Sequence, residues 1–563
     1  MRFAAVDCYG VASSDDYFEF IAEYSDLLED VKQRFQAECL TPVNYRFAIA
    51  YVPRNGRESF RSTDYDYNSI PRCYGLMDSA VMEDIGVAQV RRSGLDLSGS
   101  GVIVGIIDTG IDYRNTVFQY GNKTTKIRSI WDQTIPDSAQ NARMGYGTEY
   151  TREQINEALQ QENPLEKVPS TDESGHGTFL AGMIAGNDVP EENFSGVAPG
   201  VELIVVKLQQ AKEYLKEYYC MDPSSEAYAE TDIMLGVKYI ALLAKELAKP
   251  LVVYLGIGTS QASHLGTGPL DEYLSMFASL RGVAMVVCGG NEGQAQHHLS
   301  GTVTDSSVKA EVRVGPNEYG FTMELWGMAP NQYSVDIESP SGQRTGRIEG
   351  GLRGQREVTF LLERTNLVVD YFTVDSSAGA PLVMMRFCHP AEGVWSIYVS
   401  DENMGNRQFD IWLPINNFLS EDTFFLEPTP YNTLVSPGNT NLLMCVSNYN
   451  QNNGSIYIDS SRGFPRTFIK PDFAAPGVEV LGPLPRNRFG RKTGSSVSGA
   501  IVAGMSALML EWGYVKGNDM EINTTRIKNY LIRGARRDPN QVYPNQEWGY
   551  GAVDLYESFL KLR

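Results

Sequence analysis

Three short motifs, widely separated in the chain, contain an aspartate, a histidine and a serine. Asp108 begins an Asp-Thr-Gly motif, His176 lies in Gly-His-Gly-Thr, and Ser496 ends Thr-Gly-Ser-Ser. A serine hydroxyl attacks a carbonyl group efficiently when an imidazole takes its proton and a carboxylate orients that imidazole. These residue types therefore predict nucleophilic catalysis, provided that the fold brings them together.

The serine motif precedes an apolar segment, residues 500–512, that predicts a buried helix. In the first turn of such a helix, a serine lies near unpaired backbone N–H groups, which favour the negative charge of an oxyanion. Ser495 or Ser496 could instead simply cap the helix. The motif alone leaves both interpretations open.

The aspartate motif follows a run of mainly β-branched residues, 102–107, typical of a strand buried in a parallel sheet. Catalytic groups gather at the carboxyl ends of such strands, although Asp108 could also be a turn residue. An aspartic protease would need two Asp-Thr-Gly motifs that share a proton, and the sequence contains one. That interpretation is therefore disfavoured.

The histidine motif offers one of very few imidazoles. The five histidines are His176, His264, His297, His298 and His389. Only His176 is flanked by glycines at the predicted start of a helix, residues 179–185, a setting that leaves room around the ring. A purely structural histidine is the alternative interpretation.

Strand and helix patterns alternate through the regions that carry these motifs. Strands are predicted at residues 201–207, 251–255 and 283–287, and a helix at residues 231–247. The alternation predicts an α/β fold with a doubly wound parallel sheet. Residues 113–169 are polar and are predicted to form surface loops.

Residues 298–429 have a different pattern, with short alternating strands separated by turn residues. This pattern predicts an antiparallel β-sandwich or jelly roll. The α/β pattern resumes at residues 441–447, so we expect the sandwich to be an insertion in one loop of the main domain, without a catalytic residue. A carbohydrate- or protein-binding role for it stays open.

The first 77 residues predict a small α+β unit. Residues 15–36 have near-helical spacing, and residues 45–52 alternate like a strand. The polar stretch at residues 55–69 predicts a linker. No motif in this unit carries chemistry.

Length and charge limit the classes of function. A chain of 563 residues predicts two or three domains, and its formal charge of −21 disfavours nucleic acid and anionic membranes as partners. Membrane insertion is not expected, because no apolar run approaches the ~20 residues of a spanning helix. The N-terminal residues meet acidic and turn residues before a signal-peptide core can form, so cytoplasmic synthesis is expected.

The seven cysteines are scattered singly, without a Cys-x-x-Cys pair. An odd number without pairing fits a reducing compartment better than a disulfide framework, and the spacing excludes the usual zinc fingers. The acidic loops lack the ligand spacing of a calcium site. We therefore expect no metal and no other cofactor.

Taken together, the motifs resemble the signature blocks of the subtilase family. The chain order of aspartate, histidine and serine is that of subtilisin. The resemblance covers most of residues 85–296 and 430–560. The similar segments are residues 106–112, 175–178, 290–291, 461–463, 470–477 and 493–496.

The resemblance implies a role for each catalytic motif. Ser496 would be the nucleophile, His176 the general base and acid, and Asp108 the group that orients the imidazole. The side chain of Asn291 and the backbone N–H of Ser496 would hold the oxyanion.

The resemblance also implies two surfaces for a protein or peptide substrate. The strand that pairs with an extended substrate is expected at Tyr254, Leu255 and Gly256. One wall of the primary specificity pocket is expected at Cys288, Gly289 and Gly290.

Some details differ from the usual family pattern. Ala500 stands where the serine block usually has a proline, and Ser496 rather than Ser495 aligns with the nucleophile. The insertion, the missing signal peptide and the loop at residues 131–133 look most like clostridial subtilases of the Csp germination-protease group. In that group, the prosegment tends to stay bound, active members cleave the precursor of a spore-cortex-lytic enzyme, and some members without a full triad act as sensors. A spore-associated location is therefore implied.

Subtilases are made with an N-terminal prosegment whose end occupies the active site as the first substrate. Counting back from Asp108, as the family implies, reaches residues 74–78. Tyr74 could fill an outer apolar pocket and Leu76 or Met77 the primary pocket. We therefore expect self-cleavage after Leu76 or Met77, with the released piece staying bound non-covalently; a simple linker is the alternative.

The expected domains are a prodomain at 1–77, protease domain at 78–297 and 430–563, and an inserted jelly roll at 298–429. The sequence leaves two functions open, an active serine endopeptidase and a catalytically silent sensor or scaffold with the same fold. The intact motifs and Asn291 favour the endopeptidase.

Overall fold

The computed structural model describes residues 8–25, 27–77, 79–80, 97–136, 143–351, 353–401, 407–464 and 468–562. The helices are α1 Leu28–Phe35, α2 Arg152–Leu159, α3 His176–Ala185, α4 Glu213–Tyr218, α5 Glu230–Glu246, α6 Pro269–Ala278, α7 Ser495–Leu510, α8 Thr524–Gly534 and α9 Leu555–Leu560.

The strands of the N-terminal and central regions are β1 Tyr17–Glu23, β2 Cys39–Pro42, β3 Phe47–Pro53, β4 Cys73–Leu76, β5 Ser79–Ala80, β6 Ile103–Asp108, β7 Ile127–Asp132, β8 Thr148–Thr151, β9 Glu202–Lys207, β10 Tyr228–Ala229, β11 Leu251–Leu255, β12 Ile257–Gly258 and β13 Val283–Cys288.

The remaining strands are β14 His298–Thr302, β15 Val308–Val314, β16 Gly320–Trp326, β17 Tyr333–Glu338, β18 Arg353–Phe360, β19 Thr365–Phe372, β20 Leu382–Cys388, β21 Gly393–Asp401, β22 Gln408–Trp412, β23 Phe424–Phe425, β24 Met444–Asn450, β25 Ser455–Ile456, β26 Phe473–Pro476, β27 Val480–Leu484 and β28 Arg488–Thr493.

The centre of the molecule is a nine-stranded sheet with the order β25-β24-β13-β11-β6-β9-β7-β8, and β26 pairs with β24. The inner strands run parallel. Chain order reverses between β6 and β11, and such a reversal opens a crevice at the carboxyl ends of the strands. The predicted loop region at 113–169 was wrong in part, because β7 and β8 extend the sheet there and α2 follows them.

Both faces of the sheet are covered, which confirms the predicted α/β fold. Along β6, Val104 and Ile106 point into one buried cluster with residues of α3 and α7. Ile103 and Ile107 point into a second cluster with residues of α5 and α6. A strand buried on both faces needs apolar residues at every position, and this explains the continuous apolar run before Asp108.

The helix that begins within the serine motif is longer than the predicted segment at residues 500–512. With the turn that continues α7, it spans Ser495–Val515, 21 residues. In the described part of the chain it is the one helix long and apolar enough to cross a membrane, and 94% of its most apolar window is buried inside the protein. Its hydrophobicity therefore serves the core between the sheet and its neighbours.

The N-terminal residues form a small α+β unit of α1 and a three-stranded sheet with the order β1-β3-β2. The predicted helical spacing at 15–36 was wrong, because the first half of that stretch is β1 and only the second half is helical. The unit docks on the main domain through Glu19, whose carboxylate accepts a hydrogen bond from Thr231 at 2.7 Å and pairs with Lys212 at 2.7 Å.

Residues 298–429, called the insertion below, contain two antiparallel sheets. The six-stranded sheet has the order β14-β22-β16-β20-β19-β18, and the four-stranded sheet the order β17-β21-β15-β23. One hydrophobic cluster joins the two, with Met323 and Phe387 from the first sheet and Val312, Ile337 and Trp395 from the second. The insertion thus has a core of its own.

The stretch predicted as a linker, residues 55–69, is instead docked on the insertion. The buried Tyr67 hydroxyl lies 2.8 Å from both carboxylate oxygens of Glu324, and burial raises the pKa of that carboxyl. Asn68 donates hydrogen bonds to Asp375 at 2.7 Å and to Ser377 at 3.0 Å. The polar sequence predicted a solvent-exposed linker. The polar side chains of Tyr67 and Asn68 instead form hydrogen bonds with residues of the insertion.

The cysteines differ from the sequence expectation as well. Disulfides join Cys8 to Cys39 and Cys220 to Cys388, although these residues are far apart in sequence. Pairing of this kind depends on the tertiary fold, which spacing along the chain does not reveal. The second disulfide links the main domain to β20 of the insertion.

We predict that Tyr67→Phe loosens the contact between the N-terminal unit and the insertion. The change removes a hydroxyl that serves both oxygens of the buried Glu324, and leaving such a group short of donors costs about 1–3 kcal/mol. A lower midpoint of thermal unfolding would register this loss. Tyr45→Phe is the matched control, because Tyr45 is 71% exposed; equal midpoints for the two variants would contradict the prediction.

Candidate active site

The structure brings the aspartate, histidine and serine of the three motifs together at the carboxyl edge of the sheet. His176 Nδ1 lies 2.7 Å from Asp108 Oδ1, and His176 Nε2 lies 3.3 Å from Ser496 Oγ. All three side chains are fully buried. This is the relay of hydrogen bonds by which an imidazole can remove a proton from a serine while a carboxylate fixes its orientation.

Asp172 organises this corner, and the sequence analysis did not single it out. Its Oδ1 accepts hydrogen bonds from the backbone N–H of Gly175 at 2.8 Å and from Thr109 Oγ1 at 2.8 Å. Its Oδ2 accepts from the backbone N–H and the hydroxyl of Thr178 at 2.8 and 2.6 Å. Asp172 therefore caps α3, which carries His176, and ties it to the loop after Asp108. The sequence did contain one signal for this role, because Asp172 lies a few residues before the predicted helix and aspartate is a common helix-capping residue.

The glycines beside His176 are required by the backbone around them rather than by the space around the imidazole ring. Gly175 has a φ of 75°, in the left-handed region that favours glycine. A side chain on Gly177 would lie 2.2 Å from the carbonyl oxygen of Gly110. The start of α3 can therefore approach the loop after Asp108 this closely only with glycine at position 177.

Ser496 is held in the first turn of α7 by its neighbours. The Tyr254 hydroxyl donates a hydrogen bond to the Ser496 carbonyl oxygen. Ser495 Oγ accepts from the backbone N–H of Gly290 at 3.0 Å, and Ser495 N–H donates to Asn291 Oδ1 at 3.0 Å. With Oδ1 occupied in this way, the Nδ2 amide of Asn291 is left as the donor of this side chain.

The chain's own β4 runs through the cleft beside these residues. It pairs antiparallel with β10 on one side, Tyr228 opposite Tyr74, and with β12 on the other, Ile257 opposite Leu76. β4 is therefore bound by strand addition, the mode in which an extended peptide pairs with the exposed edges of neighbouring strands.

The residues predicted to pair with an extended substrate are not the ones that pair with β4, so this prediction was wrong. Tyr254 and Leu255 lie in β11, whose two edges are already paired with β6 and β13 in the central sheet. A strand with both edges paired has no free ladder for a substrate. Gly256 only connects β11 to β12, and Ile257–Gly258 supply the edge.

The end of β4 leads to the serine. The backbone N–H of Ser496 donates a hydrogen bond to the Met77 carbonyl oxygen at 3.3 Å. Asp78, the next residue of the predicted cleavage segment, lies outside the described residues. Ser79 and Ala80 form β5 and pair with Thr493 and Lys492, at the start of the serine motif. The described residues before and after Asp78 are thus both paired with backbone groups of the serine motif.

The side chains of the predicted cleavage segment are buried. Tyr74 and Leu76 belong to the cluster on the α5 and α6 side of the sheet, and burial raises the pKa of Tyr74 well above its usual value. Met77 is 2% exposed and lies in a third cluster that also contains Cys288 and Val435. Burial also raises the pKa of the Cys288 thiol.

The two glycines after Cys288 continue this wall. The Gly289 N–H donates to the Val446 carbonyl at 2.9 Å, and the Gly289 carbonyl accepts from Val435 N–H at 3.0 Å. A side chain on Gly290 would lie 2.7 Å from Ser461 Oγ. The three predicted pocket residues therefore lie at the carboxyl end of β13, at the same edge as the serine.

Among the described residues, no group of three or more histidine, cysteine or acidic side chains is placed to hold a metal ion.

Comparison with known proteins gives a family match over the regions that carry the site. The model of the subtilase family, peptidase group S8, matches residues 99–315 and 404–551. The solved structure of the CspB protease from Clostridium perfringens superposes with a TM-score of 0.75 at 32% sequence identity. That alignment covers 84% of this chain and 97% of the other.

More distant relatives are larger proteins. C5a peptidase of Streptococcus pyogenes is 22% identical over 502 residues, 81% of this chain and 39% of that protein. Subtilisin-like protease SBT3.6 of Arabidopsis thaliana is 22% identical over 448 residues, 73% of this chain and 56% of that protein. The chain therefore spans between about two fifths and three fifths of these curated relatives.

Asp172→Ala should slow the reaction of Ser496 with a fluorophosphonate by about tenfold or more. The change removes a buried cap worth about 1–2 kcal/mol and frees the start of α3, so His176 loses its fixed position. The measurement is the labelling rate, with circular dichroism to verify folding. Asp538→Ala is the control, because exposed Asp538 also accepts a backbone N–H, that of Asn540, in the loop after α8. Equal labelling rates for the two folded variants would show that Asp172 does not position the histidine.

Proposed function

This chain belongs to the subtilase family of serine peptidases, and on that premise we propose that it is an endopeptidase whose triad is Ser496, His176 and Asp108. The observation that carries the proposal is a pair of contacts at Ser496. Its backbone N–H donates a hydrogen bond to the Met77 carbonyl oxygen, and its Oγ lies 3.3 Å from His176 Nε2. A peptide carbonyl, a hydroxyl and a base thus share one corner. The peptide's strand pairing would hold the carbonyl there for attack.

In the proposed reaction, Ser496 Oγ forms a bond with the scissile carbonyl carbon as its proton passes to His176 Nε2. The imidazolium is stabilised by Asp108, which lies 2.7 Å from Nδ1. His176 then gives the proton to the amine as the C–N bond breaks, which leaves an acyl-enzyme. A water molecule, deprotonated by His176, hydrolyses the ester and restores the serine.

The negative oxygen of the tetrahedral intermediate would be held by two donors. One is the Ser496 N–H, which already faces the Met77 carbonyl at 3.3 Å. The other is the Asn291 Nδ2 amide, whose orientation is supported by the hydrogen bond from Ser495 N–H to Oδ1 at 3.0 Å. Each such donor is worth about 10²–10³ in rate, because it is aimed where charge develops.

The first bond cut would be that between Met77 and Asp78, in the chain's own prosegment. Of the two sites that the sequence leaves open, the position of the Met77 carbonyl favours cleavage after Met77 over cleavage after Leu76. Met77 would then occupy the primary pocket beside Cys288, Gly289 and Gly290. Tyr74 would occupy an outer pocket.

After the cut, residues 1–77 would stay bound as a prodomain. Besides the pairing of β4, Glu19 is buried against Thr231 and Lys212, and its backbone N–H donates to the Tyr214 hydroxyl at 2.8 Å. Removal of the N-terminal unit would leave these buried polar groups without partners, which is costly. The insertion, interpreted as a jelly roll, would add to this retention through its contacts with Tyr67 and Asn68 and would limit access to the cleft.

The resemblance to the Csp group suggests the natural substrate. We propose the precursor of a spore-cortex-lytic enzyme, met in a spore-associated location after cytoplasmic synthesis. The likeness to the Clostridium perfringens CspB protease, at 32% identity over most of both chains, supports this choice. The competing function is a silent sensor or scaffold with the same fold. The hydrogen-bonded arrangement of Asp108, His176 and Ser496 favours the active enzyme.

Self-cleavage and probe labelling test the proposed catalytic serine. Purified wild type should yield a new N-terminus at Asp78 and a bound piece that ends at Met77, detected by intact mass and N-terminal sequencing. Ser496→Ala should remain whole and take up no fluorophosphonate, because the nucleophile is gone.

Ser495→Ala is the matched control on the neighbouring serine. It loses the side-chain contact with the Gly290 N–H, so labelling should slow but persist. Cleavage that persists in purified Ser496→Ala would assign the cut to another protease. Equal labelling of the two variants would refute the choice of nucleophile. A folded wild type that neither cleaves itself nor takes up the probe would favour the silent scaffold.

The substrate proposal has a separate test. Wild type, incubated with the purified precursor of a spore-cortex-lytic enzyme, should shorten it at one site, whereas Ser496→Ala should leave it intact. A self-processed, probe-reactive wild type that leaves this precursor whole would exclude the germination role and keep the protease.

A further inference from the structure

The insertion forms a third wall of the cleft over β4. Residues 415–418 lie between β22 and β23, and this segment reaches the peptide in the cleft. The Asn417 side-chain amide donates a hydrogen bond to the Leu76 carbonyl oxygen at 2.9 Å. With β10 and β12 on its two edges, the strand is therefore contacted on a third side by a unit outside the central sheet.

The alternation of side chains along β4 decides which residues meet this wall. Tyr74 and Leu76 lie in the cluster formed with α5 and α6. Cys73 and Met77 lie in the cluster that also contains Ile415 and Phe418 of the insertion. Because side chains in a strand alternate between its faces, position 75 points toward the insertion.

Position 75 is a glycine with no space for a side chain. A methyl group on its Cα would lie 2.7 Å from Ile415 Cδ1, 3.1 Å from Phe418 Cζ and 3.2 Å from Phe418 Cε1. Carbon atoms in favourable contact stand ~3.5–4.0 Å apart. Gly75 is absent from the residues with positive φ, so the requirement for glycine here is one of space rather than of backbone conformation.

The two obstructing side chains have little freedom to move aside. Ile415 is 1% exposed and Phe418 is 6% exposed, both packed in the shared cluster. The peptide cannot retreat either, because its edges are paired with β10 and β12 and its Leu76 carbonyl is held by Asn417. Close-packed surroundings of this kind make an added methyl group costly.

We infer that Ile415 and Phe418 make the enzyme selective for glycine at the third residue before the cleaved bond, Met77 being the first. The inference rests on the proposed function and names its substrate class: extended peptides with a large apolar residue at the first position, glycine at the third and an aromatic residue at the fourth. Any chain that takes the path of β4 meets the same wall. Alanine should be accepted slowly, and β-branched residues not at all.

The test is the rate of self-cleavage in a cell-free translation reaction, followed as the appearance of the fragment 1–77. Gly75→Ala should slow the cut by about tenfold or more, because the methyl group overpacks a filled site. Gly75→Val should stop it. The decisive variant is Gly75→Ala combined with Ile415→Val, which deletes the Cδ1 methyl group nearest to position 75. The factor by which alanine slows the cut should shrink several-fold in the Ile415→Val background.

Leu76→Ala provides the matched control, because Leu76 faces the opposite cluster. The factor by which it slows the cut should be the same in the wild-type background and in the Ile415→Val background. Cleavage of Gly75→Ala within about twofold of wild type would overturn the inference. A slow Gly75→Ala that is equally slow with Ile415→Val would overturn it too, since backbone stiffening or misfolding would then be the cause. A wild type that never cuts itself would instead refute the proposed self-cleavage on which the inference rests.

Discussion

The two strand edges that line the cleft, β10 and β12, impose the constraint on which the rest of the molecule depends. Backbone N–H and C=O groups shielded from water need partners, and here β4 supplies them on both sides. Because β4 belongs to the N-terminal region, that region must cross the main domain to reach the cleft. The position of the N-terminal unit, its docking on α5 and the approach of the Met77 carbonyl to Ser496 all follow from this path.

Buried acidic residues mark the places where the separate units meet. Glu19 of the N-terminal unit faces Thr231 and Lys212, Glu324 of the insertion faces Tyr67, and Glu230 of the main domain faces Arg72. Burial raises the pKa of Glu230 and Glu324. A buried acid with partners contributes little net stability, but the same acid without them is strongly destabilising. These contacts therefore fix the arrangement of the three units more than they strengthen it.

The sequence predicted the parts of the site that depend on local pattern. Asp108 ends an uninterrupted apolar strand, and His176 and Ser496 lie in the first turns of helices, so the motifs themselves showed where each residue lies. The substrate strand was misplaced at Tyr254–Gly256, because the apolar run and the glycines after it allow more than one register and only strand pairing decides. Asp172 was missed since its role depends on two loops that meet in space. The docked stretch at 55–69 and the second disulfide depend on contacts between units, which polarity and spacing along the chain do not encode.

The enclosure of β4 on three sides would also govern how long a cleaved peptide remains bound. A product that leaves the cleft must break its ladders with β10 and β12 and its hydrogen bond with Asn417 while its side chains leave two apolar clusters. Among related complexes, tighter binding is expressed mainly as slower dissociation rather than faster association. On the proposed self-cleavage, the N-terminal piece would therefore have a long residence time in the cleft. Its departure, rather than bond hydrolysis, would then set the rate at which the site becomes open to a second chain.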